Sequence, residues 1–108
     1  MKENEFQTAN VFTLSTSVEY SAGSIVSKIV IKKPSGHVTL FAFDAGEELS
    51  EHTSPFEALV QIIDGTAEIL IMGQSFTLQT GESIVLPGNV PHAVKANVRF
   101  KMALTMIK

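Results

Sequence analysis

Cysteine is absent from all 108 residues. That excludes disulfides, thiolate metal centres and a cysteine nucleophile, and it suits a reducing compartment. Tryptophan is also absent, and Tyr20 is the single tyrosine. No row of aromatic faces exists on which the bases of a single strand could stack. Charge is sparse: eight Lys and Arg against eleven Asp and Glu give a formal net charge of −3. Without a basic stripe to neutralise phosphates, nucleic acid is not expected as a partner. No apolar run reaches the ~20 residues of a membrane-spanning helix. The start, Met1-Lys2-Glu3-Asn4-Glu5, is charged and no long apolar run follows it. The expectation is a cytoplasmic chain with no membrane attachment. A glycine-rich phosphate loop is missing too.

What is present is apolar and β-branched. Hydrophobic residues make up 44% of the chain, too many for disorder and enough for one modest core. The length fits a single domain, residues 1–108, read as an N-terminal arm and edge strand over 1–24 and a barrel over 25–108. Candidate strands are Val11–Leu14, Ile25–Ile31, Val38–Phe43, Ala58–Ile63, Ala67–Ile71, Ser75–Leu78, Ser83–Leu86, Ala93–Ala96 and Arg99–Ile107. No stretch holds an apolar 3.6 period long enough for a helix beyond one turn near Ser15–Tyr20. Asp64-Gly65 lies between two apolar runs and predicts a tight hairpin, and Met72-Gly73-Gln74 predicts a second. In the last strand Phe100, Met102, Leu104 and Met106 share the face expected inside, with Lys101, Ala103, Thr105 and Ile107 on the other. Leu40-Phe41-Ala42-Phe43 is apolar on both faces. One face is expected in the core and the other against a second copy, giving a homodimer. Many short strands with regular turns argue for an all-β, antiparallel barrel or jelly roll.

Three histidines occur. His37 follows Ser35-Gly36 and reads as an exposed turn residue. His52 ends Gly46-Glu47-Glu48-Leu49-Ser50-Glu51-His52, a glycine, five residues and a histidine, and Gly65 follows downstream. Gly81, Pro87, Asn89, Pro91 and His92 form a second spaced set. These two sets resemble the two sequence motifs of the cupins, with Asn89 where the second motif carries a glycine. The resemblance implies a cupin β-barrel, a double-stranded jelly roll of the RmlC-like type, with a pocket at the barrel mouth around His52 and His92.

The resemblance also implies a metal centre of three histidines and one glutamate, and here the sequence departs. Ser54 stands where the second histidine belongs, Ala58 where the glutamate belongs, and Ala96 where an asparagine closes the second motif. His52 and His92 alone carry over as metal ligands. Glu57 is a substitute carboxylate only if the strand bulges beside it, because simple alternation turns it away from the face of Ala58. Ser54, Ala58 and Gln61 are candidate pocket residues, Gln61 with an interface as its alternative. A hydrolase triad finds no aspartate to orient His52 beside Ser54. Two readings stay open. One is a pocket binding a small molecule, with no cofactor and no assigned catalytic residue. The other is a dioxygenase- or isomerase-like enzyme holding one divalent transition metal (Zn, Fe, Mn, Ni or Cu) on an incomplete ligand set.

Overall fold

The computed structural model describes residues 6–108. Eight strands follow one 3₁₀ turn at Leu14–Thr16: β1 (Ile25–Lys33), β2 (Gly36–Phe43), β3 (Glu48–His52), β4 (Glu57–Ile71), β5 (Gln74–Gln79), β6 (Ser83–Leu86), β7 (His92–Lys95) and β8 (Phe100–Ile107). All pairings are antiparallel, in the order β1-β2-β8-β4-β7-β3, with β5 and β6 also on β4. The sheet curls into an antiparallel barrel because β4 serves both sides. Its first half pairs with β6 and β8, and its second half with β5 and β7.

That shared strand overturns one expectation. Asp64-Gly65 is not a hairpin: the apolar runs on either side of it are a single strand of 15 residues. Opposite β8 the register slips between Ile62 and Asp64. Ala58, Val60 and Ile62 face the core before the slip, and Ala67 and Ile69 face it afterwards. The inward side thus changes from even to odd positions, as one extra residue in a bulge requires. Gly65 sits at φ 74°, where a Cβ would strike the carbonyl oxygen of Arg99. A glycine that reads as a turn signal serves here to bend a strand around a corner. The second predicted hairpin forms as expected, with Met72-Gly73 joining β4 to β5.

Alternation in β8 places Phe100, Met102, Leu104 and Met106 on the inner side, packed with Phe43, Val60 and Ile69. Phe43 and Phe100 stack nearly parallel at 4.6 Å and close one end of the interior. The other side of the sheet holds a second cluster, Val18, Leu40, Ala42 and Ala103, flanked by Phe6, Tyr20 and Ile63. This corrects the expectation for Leu40-Phe41-Ala42-Phe43, whose outer face is covered by the chain's own N-terminal segment. Three contacts tie that segment down. Tyr20 donates its hydroxyl hydrogen to Asp64, Lys101 donates to the Ser15 carbonyl at 2.6 Å, and the Gly23 amide donates to Asp44 at 2.8 Å. Burial and the neighbouring Asp64 carboxylate push the Tyr20 hydroxyl far above its ordinary value, so it remains a donor. Val11–Leu14 forms no strand, and the described part of 1–24 contains no edge strand. It lies across the sheet instead of extending it.

Candidate functional site at the barrel mouth

β3 went unpredicted because its sequence, Glu48-Leu49-Ser50-Glu51-His52, is mostly polar and exposed. It is an edge strand, and its pairing with β7 sets His52 directly opposite His92. Residues 40 positions apart thus become neighbours, with ring centroids 4.4 Å apart and ring planes at 69°. His52 is exposed on the rim, whereas His92 is buried at 7% exposure.

Each ring is oriented by a backbone carbonyl two residues before it, in β3 for His52 and in the loop preceding β7 for His92. His52 Nδ1 lies 2.8 Å from the carbonyl oxygen of Ser50, and His92 Nδ1 lies 3.2 Å from that of Val90. A carbonyl can only accept, so each Nδ1 donates a hydrogen and each neutral ring keeps its lone pair on Nε2. Burial, and secondarily the nearby His52, lower the pKa of His92, while the Val90 carbonyl acts in the opposite direction.

Behind the pair lies a cavity of about 150 Å³. Ala58 and Val60 of β4, Leu86 of β6, and Met102, Leu104 and Met106 of β8 line it from neighbouring strands. Leu49, Phe56 and Val94 complete the apolar lining, and Ser54 adds a hydroxyl. Ala58 and Met106 are direct cross-strand partners. A short side chain at Ala58 therefore leaves open space beside a flexible one.

The loops beneath explain a departure noted in the sequence. Asn89 sits at φ 62°, the left-handed conformation that glycine favours and asparagine tolerates. Asparagine in the family's glycine position therefore preserves the backbone path. The Asn89 amide donates to the Ser54 carbonyl at 2.7 Å. Gly88 lies so close to Pro55 that a Cβ there would meet its carbonyl oxygen at 2.7 Å. The Ser54 hydroxyl in turn accepts from the Phe56 amide at 3.3 Å.

Of the residues singled out from sequence, the structure brings His52, Ser54, Ala58 and His92 around one cavity. Two others lie elsewhere. Glu57 pairs in regular register with Ile107 and points outward, because the bulge that would have turned it inward does not form at that point. It borders a separate open groove of about 460 Å³ that contains no histidine. Gln61 is exposed on the same outer side, which corrects its assignment to the pocket. His37 is not an exposed turn residue. It is half-buried within β2, with Nδ1 2.9 Å from the Thr39 hydroxyl. The cavity-lining role of Leu49, Phe56 and Leu86 was missed. Alternation in β8 had placed Met102 and Met106 inside but could not reveal a void beside them.

The fold and the two motifs agree with a direct comparison. A family model for the cupin domain matches residues 39–108. The chain belongs to the cupins. Over its whole length it superposes on a conserved protein of unknown function from Streptococcus pyogenes, with a TM-score of 0.92, 31% identity and 95% of that chain covered. A cupin 2 conserved barrel domain protein from Leptotrichia buccalis is 43% identical at a TM-score of 0.87, over 90% of this chain and 47% of that one. A curated relative, the polyketide synthase CurC of Streptomyces cyaneus, is 26% identical over 70 residues, 64% of this chain. The chain spans about half the length of that relative, with 46% of it covered.

Cupins often bind metal, and the donors in this chain can be tested against that. Catalytic transition-metal sites ordinarily use three protein ligands. Among the described residues, no group of three or more His, Cys, Asp or Glu converges anywhere. Ser54 and Ala58 stand at two of the positions in question, and the rest of the lining is hydrocarbon and thioether. The residues present do not fit the family's metal centre. Nor is any helix among the described residues long and apolar enough to cross a membrane.

Proposed function

We propose that this cupin binds a small, largely apolar molecule in the barrel-mouth cavity, with its polar group directed at His52 and His92. One observation carries the reading: a cavity of about 150 Å³ lined by apolar side chains, with two imidazoles at its mouth. An apolar cavity of about this size accommodates a single benzene ring. Concave, mostly apolar sites with few polar groups are the usual form of small-molecule sites. Titrating the labelled protein with benzene while following the methyl signals of Met102 and Met106 tests it directly. Saturable shifts that vanish in Ala58→Leu are expected. Unmoved methyl signals at saturating benzene would refute the reading.

The alternative, a metal-dependent enzyme of dioxygenase or isomerase type, rests on the facing pair His52 and His92. Elemental analysis of protein purified without a His-tag or chelator separates the two. Near-stoichiometric metal that disappears in His52→Ala and His92→Ala would replace the metal-free reading. Homodimerisation is supported by a different feature. Ile31, Val38, Thr105, Leu59 and Val85 are successive cross-strand partners and form one row across the outer sheet. Ile31, Val85 and the nearby Ile107 are exposed, and apolar rows of this kind commonly mark contact surfaces. Sedimentation as a monomer at micromolar concentration would remove this proposal.

A further inference from the structure

The tautomers of the histidine pair restrict what the cavity can hold. We infer that its occupant carries a hydroxyl hydrogen-bond donor, as a phenol does, whose hydrogen is accepted by an Nε2 atom of the pair. The inference rests on the small-molecule reading above and narrows it to a chemical class.

The argument begins with the backbone. The carbonyls of Ser50 and Val90 take the Nδ1 hydrogens at 2.8 Å and 3.2 Å. Both rings repeat the same two-residue contact, from His52 back to Ser50 and from His92 back to Val90. The repetition gives both rings one tautomer. In the neutral pair both Nε2 atoms are acceptors, so neither ring can donate to the other through Nε2, nor to a ligand carbonyl. Among the described residues no buried side-chain nitrogen or oxygen lacks a partner, His52 is exposed, and both rings line the cavity.

The rest of the lining offers little competition. Ser54 is the other polar side chain at the cavity; its oxygen accepts the Phe56 amide, and its hydroxyl can still donate one hydrogen. At the two imidazoles, a ligand whose polar atom only accepts, such as an ether or an aldehyde, would face two lone pairs and could turn only to the Ser54 hydroxyl. A ligand that donates would satisfy one of them, and a site built to hydrogen-bond a hydroxyl discriminates against analogues lacking it. The apolar body is limited by the volume to about one ring.

Four ring-sized probes separate the possibilities: benzene, phenol, anisole and benzaldehyde. Binding is measured at pH 8, where ordinary imidazoles are neutral. The expected result is phenol binding roughly tenfold more tightly than benzene, anisole or benzaldehyde, as one net hydrogen bond provides. His92→Phe and, should that variant fail to fold, the rim variant His52→Phe should reduce the phenol preference while benzene still binds. The ¹⁵N imidazole spectrum of the free protein should show hydrogen on Nδ1 and a bare Nε2 in both rings. Benzene binding without a phenol preference, or hydrogen found on Nε2, overturns the donor inference and leaves the pocket intact. Failure of all four probes to bind overturns the pocket reading and this inference together.

Discussion

The two ends of the barrel interior are built from the same strands and differ sharply. At one end Phe43 and Phe100 stack at 4.6 Å, and Ile62 of the same cluster is 2% exposed. At the other end the same β4 and β8 contribute Ala58 and Met106, and a cavity of about 150 Å³ remains. Backbone pairing continues regularly through both ends on this pair of strands, apart from the bulge. Side-chain volume alone separates a filled end from a hollow one. The filled end is therefore assigned to stability, and the hollow end is the one proposed for binding.

Four measurements would break or sharpen that contrast. The largest effect is expected from Phe100→Ala, which removes half of the stack from a fully buried position. Denaturant unfolding should show a loss of about 3–5 kcal/mol, and intact stability would mean that the filled end is not the anchor. Met106→Ala, beside space that is already open, should cost about 2 kcal/mol, with tighter uptake of ligands larger than one ring. Ala58→Leu fills space that is otherwise empty. Stability should stay within about 1 kcal/mol of the parent while benzene uptake is lost. A penalty as large as that of Phe100→Ala would show that this end is as closely packed as the other.

The smallest effect concerns pH. The folded chain holds the pKa of His92 below its ordinary 6.5, chiefly through burial. As pH falls through 6.5 the unfolded chain takes up the proton first, so stability is full above that value and declines below it. The decline continues until the folded ring is also protonated. Its slope cannot exceed about 1.4 kcal/mol per pH unit for one proton. Unfolding midpoints between pH 8 and pH 5 should fall less steeply in His92→Phe. A residual slope is expected from His37, which is also lowered by burial and by Lys108 and Lys32. Identical pH profiles would remove His92 from the acid sensitivity.

Legibility in the sequence followed the physical origin of each feature. Alternation along Phe100–Ile107 was readable because it depends only on strand geometry, and it identified the inner face correctly. His52 and His92 were readable through motif spacing. β3 was not, because an exposed edge strand has no apolar alternation to display. Glu57 and Gln61 were uncertain because their facing depends on where the strand bulges, and the bulge falls at Asp64-Gly65. The outer apolar face of Leu40 and Ala42 was visible, but what covers it was not. Any apolar surface would satisfy those residues, and the N-terminal segment does so.

By itself the sequence determined an all-β chain and the inner face of its last strand, which follow from local periodicity, and, through two motifs that resemble those of the cupins, the kinship and the two histidines. Tertiary structure decided that Asp64-Gly65 bends one long strand instead of ending two short ones, since a glycine at positive φ serves both geometries. It also decided that a cavity exists. A void is the mismatch between side-chain volumes on strands far apart in sequence, here Ala58 against Met106 and His92, and only the closed barrel brings those volumes together.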